Sequence, residues 1–242
     1  MPNPFYDPGR ARSDKVRELF SAIASRYDLI NDLQSFGLHR HWKKRLVELA
    51  RPRKGDKALD VCCGTGDIAV ALAKRGVEVI GLDFSEAMLA VAGLKVQSSK
   101  FQVQSPQFMR GDAQQIPFPD ESFDVVTVGY GLRNLADWEL GLKEMCRVAK
   151  PGARILSLEF GKPENAVWRK IYFAYLRCFV PVLGKIICNN SSAYAYILES
   201  LKHFPAQNGI AAKMRELNLA NVRIVNFLGG VMSINYGVKR ET

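Results

Sequence analysis

The stretch Ala58–Asp67, which reads Ala-Leu-Asp-Val-Cys-Cys-Gly-Thr-Gly-Asp, decides the fold of this chain. It begins as a short apolar strand and ends at Gly64 and Gly66, directly before an apolar pattern of helical spacing. Glycines at a strand-to-helix turn let the backbone approach a ligand that a Cβ atom would push away. A second apolar strand ends at Asp83, whose carboxylate is placed to accept hydrogen bonds from two ribose hydroxyls. The sequence therefore predicts a nucleoside-cofactor site.

The glycine pattern leaves two cofactors open. Gly64, Gly66 and Ala69 satisfy the Gly-x-Gly-x-x-Ala variant of the dinucleotide fingerprint, which would indicate NAD. A pyrophosphate favours a helix N-terminus with bare N–H groups, whereas Asp67 puts an anionic side chain into the first turn. Asp60, inside the preceding strand, adds another carboxylate near the pocket. The two anions favour S-adenosylmethionine, which carries an amino group and a sulfonium, although Asp67 could also be an N-cap.

Length and composition indicate one globular domain. The chain has 242 residues, and 48% of them are hydrophobic, which is enough for a large core. Five cysteines, two of them adjacent at Cys62 and Cys63, suggest neither a disulfide framework nor a metal site, so these two are expected to be small buried side chains. The N-terminus has no apolar signal core, which favours a cytoplasmic location.

Charge is distributed unevenly along the chain. The net charge is +10, with +6 in residues 1–57, −3 in residues 58–161 and +7 in residues 162–242. Basic flanks suit an anionic surface, either nucleic acid or a membrane leaflet, although solubility alone would also explain them.

Strands and helices alternate in the centre of the chain, as a parallel, doubly wound α/β sheet requires. We predict strands over 57–62, 77–82, 105–109, 123–128, 153–159, 221–227 and 231–238, the last two as a hairpin around Gly229 and Gly230. We predict helices over 16–27, 39–50, 67–75, 85–97 and 137–149, a mostly helical region from 160 to 217, and a loosely docked or disordered tail over 1–13. Pro151 and Gly152 are expected to stop the helix over 137–149.

Residues 166–188 are strongly aromatic and apolar. Four Lys or Arg residues, Pro181 and Gly184 interrupt the stretch and argue against a membrane-spanning helix. It could be an interfacial helix, a wall around an apolar substrate or, most simply, a core helix.

Polar residues also follow the third and fourth strands. Asp112, next to Ala113, could accept a hydrogen bond from the exocyclic amine of an adenine. Arg133 and Asn134 follow the fourth strand, beyond the carboxyl ends of the strands, where open α/β sheets bind ligands.

Four strings make the chain resemble the C-methyltransferases of quinone biosynthesis, which methylate demethylmenaquinol or a 2-polyprenyl-6-methoxy-1,4-benzoquinol. They are Phe20–Trp42, Gly129–Leu135 (Gly-Tyr-Gly-Leu-Arg-Asn-Leu), Glu144–Gly152 and Tyr194–Pro205. The resemblance runs from about Val16 to Lys239. It implies the class I, Rossmann-like fold of S-adenosylmethionine-dependent methyltransferases, a seven-stranded sheet with N-terminal helices and a helical insertion before the last two strands.

The resemblance also implies an organisation of the single domain, 1–242. Residues 1–50 would form a helical cap, 51–160 the cofactor-binding core, 161–220 a helical substrate or membrane region, and 221–242 the C-terminal hairpin. Together with the residue patterns it yields a predicted cofactor set of Asp60, Gly64, Thr65, Gly66, Asp83, Phe84, Asp112 and Ala113. The Cys62-Cys63 pair resembles the menaquinone branch and favours demethylmenaquinol.

Three residues are predicted to act on the quinol. Arg133 would hold a quinol oxygen, because a guanidinium is a permanent cation and a poor base. Asn134 and Tyr27 would orient the ring or a water that carries the proton away. His39 and His41 could be bases, but two histidines in a basic helix are expected at the surface.

The expected partners are a polyprenyl quinol and an anionic membrane, which the basic flanks would contact peripherally while 166–188 and the first helix surround the first isoprenes. Nucleic acid is not expected, and a homodimer is left open. The residues leave three other functions open: an RNA methyltransferase, which would be expected to carry an RNA-binding module, a NAD-dependent reductase, and a non-catalytic subunit that binds S-adenosylmethionine or carries lipid.

Overall fold

The computed structural model describes residues 10–98, 104–188 and 192–241, and within them the chain forms nine α-helices and seven β-strands. The helices are α1 (Arg10–Ile23), α2 (Tyr27–Ser35), α3 (Leu38–Ala50), α4 (Asp67–Ala73), α5 (Glu86–Ser98), α6 (Trp138–Val148), α7 (Ala166–Cys188), α8 (Ser192–His203) and α9 (Ala206–Glu216). The strands are β1 (Lys57–Val61), β2 (Glu78–Asp83), β3 (Gln107–Arg110), β4 (Phe123–Gly129), β5 (Ala149–Phe160), β6 (Leu219–Phe227) and β7 (Met232–Lys239).

All the strands belong to one sheet with the order β3-β2-β1-β4-β5-β7-β6. The first five are parallel, and β7 runs antiparallel to both β5 and β6. This confirms the predicted parallel sheet and its C-terminal hairpin. The strand order reverses between β1 and β4, and the crevice beyond their carboxyl ends is where such sheets bind ligands.

The central strands are apolar on both faces because helices cover both sides of the sheet. Alternate residues of β1 enter different clusters: Leu59 and Val61 pack in one, and Ala58 packs in the other. Helices α6 and α9 contribute to the first cluster, and α3 and α4 to the second.

A third apolar cluster lies outside the sheet layers and joins the N-terminal helices to α7 and α8. Val16 and Leu19 of α1 and Ile30 of α2 pack there with Tyr172 and Leu201. The Tyr175 hydroxyl of α7 also donates a hydrogen bond to the backbone carbonyl of Gln34 in α2, at 2.7 Å. These contacts build a helical cap, which we define as α1, α2, α7 and α8.

The N-terminal region differs from the predicted single helix over 16–27. Helix α1 ends at Ile23, a 3-10 turn spans Ala24–Arg26, and α2 follows as a separate helix that the prediction missed. Apolar residues keep helical spacing across the break, so the pattern cannot reveal it. Residues 10–13, expected in the tail, belong to α1, and residues 1–9 lie outside the described part of the chain.

The helix predicted over 137–149 ends one residue early, and for a different reason than expected. Ala149 is extended and pairs with Phe123, so the chain enters β5 directly. Pro151 and Gly152 therefore lie inside β5, close to a register shift, instead of stopping the helix.

Helix α7 covers the aromatic stretch and is part core, part surface. Tyr172, Leu176 and Val180 are buried, whereas Ile171 and Val182 are more than half exposed. In the described residues, no helix combines the length and the hydropathy that crossing a bilayer requires.

Candidate active site

A cavity of about 490 Å³ opens beyond the carboxyl ends of β1, β2 and β3. Its volume is typical of a small-molecule site. Five residues that the sequence analysis assigned to the site line it: Asp83, Phe84, Asp112, Ala113 and Asn134. We call it the cofactor cavity.

Asp83 is the last residue of β2 and is held firmly by backbone N–H groups. Its Oδ2 accepts a hydrogen bond from Gly64 at 2.8 Å, and its Oδ1 accepts one from Ser85 at 2.9 Å. Burial raises the pKa of this carboxyl, and the backbone hydrogen bonds oppose that rise. Because each oxygen has a second lone pair, the fixed carboxylate can still accept the hydroxyls of a ribose.

Gly64 and Gly66, in the turn between β1 and α4, are required for different structural reasons. Both adopt the left-handed conformation, with φ of +54° at Gly64 and +80° at Gly66. A Cβ atom at Gly64 would meet nothing within 4 Å, so the space in front of this backbone is open. At Gly66 a Cβ atom would lie 2.7 Å from Cζ of Phe108, so this glycine serves packing. Of the two, Gly64 lines a described cavity.

Besides Gly66, two further members of the predicted cofactor set lie behind the cavities instead of in their walls. Asp60 is 1% exposed and accepts hydrogen bonds from Thr127 Oγ1 at 2.8 Å and from the N–H of Ala69 at 3.1 Å. Thr65 donates its hydroxyl to Asp28 at 2.7 Å. Neither lines a described cavity. Asp60 links β1 and β4 to the start of α4.

The sequence analysis expected Asp67 to present a free anion to the cofactor, and the structure shows that it does not. Its carboxylate forms ion pairs with Lys43 Nζ at 2.7 Å and with Lys95 Nζ at 2.5 Å. Burial alone would raise its pKa, but the two ammonium groups lower it below the usual range. Its side chain makes no N-cap hydrogen bond either, since the N-cap residue of α4 is Gly66. The pattern could not reveal lysines from distant helices.

Helix α1 helps to enclose the cofactor cavity, which the sequence analysis did not foresee. Val16 and Arg17 contribute to its wall. Asp112, on the same wall, accepts hydrogen bonds from the backbone N–H of Gln114 at 2.8 Å and from its Nε2 at 3.3 Å. The predicted adenine-side residues are therefore on one wall, with α1 as a further part of the enclosure.

A smaller cavity of about 50 Å³ adjoins the cofactor cavity. The two share Asp83, Phe84 and Asn134, and the new lining includes Tyr27 and Tyr130. The same two tyrosines also line the next cavity, which contains Arg133. Tyr27 and Tyr130 therefore stand where the cofactor side of the site meets the helical cap.

Two small cavities under the cap together form what we call the acceptor cavity. They share Asn31, Gln34, Tyr130 and Phe160. Most of the remaining lining is apolar or aromatic: Leu19, Phe20, Ile23, Tyr27, Ile30, Trp42, Tyr172, Tyr175, Leu176, Val180, Ile197, Val231 and Met232. A flat apolar ring with few polar substituents would suit these walls.

Arg133 is 5% exposed in the wall of the acceptor cavity. Its Nη1 donates to the carbonyl of Tyr130 at 2.7 Å, and its guanidinium lies 4.7 Å from the ring centre of Phe160. Nη1 is also 3.8 Å from Oε2 of Glu159. Burial raises the pKa of Glu159, and the nearby cation opposes that rise. The cation is thus fixed beside an aromatic face.

Asn134 and Tyr27 lie on either side of this junction. Asn134 Nδ2 donates to the carbonyl of Tyr130 at 2.9 Å. Burial raises the pKa of Tyr27 to about 12, so its phenol is neutral at physiological pH and can donate a hydrogen bond. The three residues predicted to act on the quinol are brought together around Tyr130.

The prediction for the histidines was half wrong. His41 is exposed, as expected, but His39 is 3% exposed and lines the acceptor cavity. Sequence reasoning also passed over Glu159 and Tyr130 as individual site residues. Glu159 occurs in an otherwise apolar strand, which is the one signal that could have drawn attention to it.

Comparisons of the sequence with known proteins identify the family of this chain. Residues 9–239 fit the model of the ubiE/COQ5 methyltransferase family. The chain is also 39% identical over 235 residues to demethylmenaquinone methyltransferases of Staphylococcus aureus strains JH9 and Newman, with 96% of each chain covered. The chain belongs to the ubiE/COQ5 methyltransferase family.

Solved structures agree on the fold of this family member. An S-adenosylmethionine-dependent methyltransferase from Thermotoga maritima has a TM-score of 0.65 at 18% identity, with 93% of this chain and all of the other covered. Phosphoethanolamine N-methyltransferase 2 of Haemonchus contortus, solved with S-adenosylmethionine, has a TM-score of 0.60 at 16% identity, covering 82% and 52% of the chains. The class I methyltransferase fold predicted from the sequence is confirmed.

The cofactor of this ubiE/COQ5 methyltransferase is S-adenosylmethionine. Open space in front of Gly64 fits a ligand lying against the bare backbone. The buried carboxylate of Asp83 fits a ribose, and Asp112 lies on the same wall for an adenine amine. The residues present therefore fit the cofactor, although the favourable anion is Asp83 and not Asp67.

Proposed function

We propose that this ubiE/COQ5 methyltransferase methylates a ring carbon of demethylmenaquinol in menaquinone biosynthesis. The observation that carries the proposal is a row of adjoining cavities, in which the cofactor cavity shares wall residues with a middle cavity and Tyr27 and Tyr130 separate that one from an aromatic cavity that contains Arg133. The relatives from Staphylococcus aureus, which bear the name demethylmenaquinone methyltransferase, support the same acceptor.

S-adenosylmethionine supplies an electrophilic methyl group when it is bound. The protein must align the acceptor carbon with that group, and alignment can lower such a barrier by about 7–11 kcal/mol. Tyr130 and Phe160 pack with their ring centres 5.6 Å apart and form part of the acceptor wall, so that wall offers aromatic surface to a flat ring.

Arg133 stabilises the quinol as its oxygen becomes negative. An aromatic carbon becomes nucleophilic when a neighbouring hydroxyl loses its proton, and a buried guanidinium favours the resulting phenolate. Because Arg133 is held by Tyr130 and Phe160, little reorganisation is needed when that charge develops. Asn134 and the neutral phenol of Tyr27 orient the ring at the junction.

The test is methyl transfer from labelled S-adenosylmethionine to two reduced lipid quinols, a demethylmenaquinol and a 2-polyprenyl-6-methoxy-1,4-benzoquinol. Methylation of demethylmenaquinol is expected. Methylation of the benzoquinol alone would replace the acceptor, and methylation of neither, with tight cofactor binding, would overturn the substrate proposal and make RNA the next acceptor to test. The benzoquinol is the second candidate because the same flat, apolar walls would suit it.

Peripheral contact with an anionic membrane is part of the proposal, since the quinol carries a polyprenyl tail. Apolar side chains are exposed on α2 and α7, two cap helices that pack against each other, and Phe36 at the end of α2 is 76% exposed. The other exposed apolar residues of these helices are Leu29, Leu33, Val167, Trp168, Ile171, Phe179 and Val182. Lys170 and Arg177 of α7 are also exposed and would attract anionic lipid.

Flotation with anionic vesicles tests this contact. Phe36→Ser should reduce the floated fraction, whereas Leu94→Ser, which removes a side chain 66% exposed on α5, should not. Absence of the wild-type chain from anionic vesicles at low salt would overturn it. We extend the proposal to a cytoplasmic location at the membrane surface, with no nucleic-acid partner, and light scattering of the purified chain would decide between monomer and homodimer.

A further inference from the structure

The acceptor cavity contains a histidine that the proposed reaction has not used. His39 lies on α3, and its Nε2 is 2.8 Å from Oδ1 of Asp32. Its other ring nitrogen, Nδ1, is buried and has no hydrogen-bond partner in the part of the chain that the structure describes. The ring lines the acceptor cavity beside Trp42 and Tyr172.

The neighbours of the ring decide which nitrogen carries the hydrogen. The Arg40 guanidinium donates to both oxygens of Asp32, and this interaction lowers the pKa of that carboxyl to about 2. Asp32 is therefore a carboxylate and accepts the hydrogen of His39 Nε2. In the neutral ring the lone pair is then on Nδ1.

Other polar atoms of the same cavity also lack partners among the described residues. They are Asn31 Nδ2, the Tyr130 hydroxyl and the Tyr172 hydroxyl. Unpartnered buried polar atoms are rare in folded proteins and lower stability unless a ligand or water meets them. Four such atoms in one aromatic cavity indicate a ligand that is flat, apolar on its faces and hydroxylated at its edge.

We propose that His39 is the proton acceptor of the methyl transfer, with Asp32 as its positioning residue. This inference rests on the proposed function. A quinol O–H bond breaks, and its proton moves to Nδ1 of His39. The neighbouring ring carbon forms a bond to the methyl carbon while the sulfur–carbon bond of the cofactor breaks and sulfur keeps the electron pair. His39 then returns its proton to the ring oxygen, and the methylated ring carbon loses its hydrogen as a proton to water, so that one proton is released overall.

The charge state of His39 suits this role. Burial lowers its pKa, Lys43 lowers it further, and the hydrogen bond with Asp32 and the more distant Asp67 oppose the change. Arg40 faces it through Asp32, and Tyr172 shares the cavity wall. The net direction is downward, so the ring is neutral at pH 7 and the lone pair on Nδ1 is available to accept a proton.

The kinetic test compares His39→Gln with His41→Gln, which alters an exposed histidine two positions along the same helix. His39→Gln should lower kcat for demethylmenaquinol about 100-fold or more, since general-base catalysis typically contributes that much. KM and the Kd for S-adenosylmethionine should stay within about threefold, and His41→Gln should match the wild type.

The wild-type fall of kcat/KM at acid pH should vanish in His39→Gln, and imidazole should restore turnover to His39→Gly. A kcat within threefold of wild type, or an unchanged acid limb, would overturn the proposal.

A second experiment, an NMR titration, requires neither catalytic turnover nor a variant protein. The 15N signals of the wild-type histidines are followed while 2,3-dimethyl-1,4-naphthoquinol, which has no free carbon to methylate on its quinol ring, is added. Nδ1 of His39 should shift and His41 should not. Binding of the naphthoquinol without movement of the His39 signals would refute the role. If the wild type methylates no quinol, the proposed function fails, whereas this titration still decides whether a hydroxylated ring meets His39.

Discussion

The cofactor cavity and the acceptor cavity differ in how their polar groups are held. In the cofactor cavity, Asp83 and Asp112 each accept hydrogen bonds from backbone N–H groups. In the acceptor cavity, by contrast, buried polar atoms of Asn31, His39 and Tyr130 have no partner among the described residues. The carboxylates of the cofactor cavity thus have hydrogen-bond partners before any ligand binds, whereas these polar atoms of the acceptor cavity do not.

The two cavities differ in this way because different secondary-structure elements line them. Strand ends and their turns supply the cofactor cavity, and the sheet hydrogen bonds fix them. The acceptor cavity lies between helices that meet through the apolar contacts of the cap. An unpartnered buried polar atom costs about 1–3 kcal/mol. We therefore expect quinol binding to stabilise the acceptor half more than S-adenosylmethionine stabilises the cofactor half.

The largest effect is expected for Arg133→Ala. Loss of the cation that favours the phenolate should lower kcat about 10³-fold, or about 4 kcal/mol, while the Kd for S-adenosylmethionine stays within about threefold. Arg133→Lys, which keeps the charge, should recover part of the loss. Titration calorimetry and initial rates give the two quantities, and equal losses of kcat and cofactor affinity would show that the two halves are not separate in function.

A pH effect tests the polar groups behind the cofactor cavity. Burial raises the pKa of Asp60 from 3.8 to about 7, against the hydrogen bond from Thr127. Between pH 4 and 7 the folded state therefore binds more protons than the unfolded state, so this group's contribution to stability is present below pH 4 and is lost as pH rises through 7. Relative to wild type, Asp60→Asn should gain about 3 kcal/mol of unfolding free energy over that window.

Urea unfolding of both proteins at pH 4, 5, 6, 7 and 8 measures this difference. Asp124→Asn is the control, because the pKa of this partly exposed carboxyl is lowered and its contribution has the opposite sign. Parallel pH profiles for wild type and Asp60→Asn would contradict the assigned titration.

Asp83→Ala should weaken S-adenosylmethionine about 100-fold, or about 2.7 kcal/mol, because hydrogen bonds to a charged group are each worth about 1.5–3 kcal/mol. Binding of a naphthoquinol analogue should change little. Glu78→Ala, at the exposed start of the same strand, is the matched control. If Asp83→Ala weakened the quinol as much as the cofactor, the two cavities would share one recognition element.

The smallest effect distinguishes two tyrosines of α7. The Tyr172 hydroxyl is buried without a partner among the described residues, whereas the Tyr175 hydroxyl donates to Gln34 at 2.7 Å. Without ligand, Tyr172→Phe should raise the unfolding free energy by about 1 kcal/mol, and Tyr175→Phe should lower it by a similar amount. Equilibrium unfolding gives both values, and the same sign for the two variants would remove the contrast drawn here.

The local pattern of the sequence was enough to predict the sheet and the cofactor turn. The strand and glycine signals of Ala58–Gly66 and the position of Asp83 depend on short-range geometry, and all seven predicted strands are found within the described residues. The same pattern placed Arg133 and Asn134 after the fourth strand, where such sheets bind ligands, whereas Tyr27 and the quinol acceptor were inferred from the resemblance to a family. The grouping of these three residues around Tyr130 agrees with the predicted site, and their roles remain predictions.

Tertiary structure alone decided which polar groups are free to act. The residues that neighbour Asp67 and His39 in the sequence do not reveal whether these side chains are exposed or buried. Lysines from α3 and α5 form ion pairs with Asp67, and the cap buries His39. The contact of Tyr175 with Gln34 joins residues 141 positions apart. Strands follow from patterns of a few residues, but burial and ion pairing depend on segments that only the folded chain brings together.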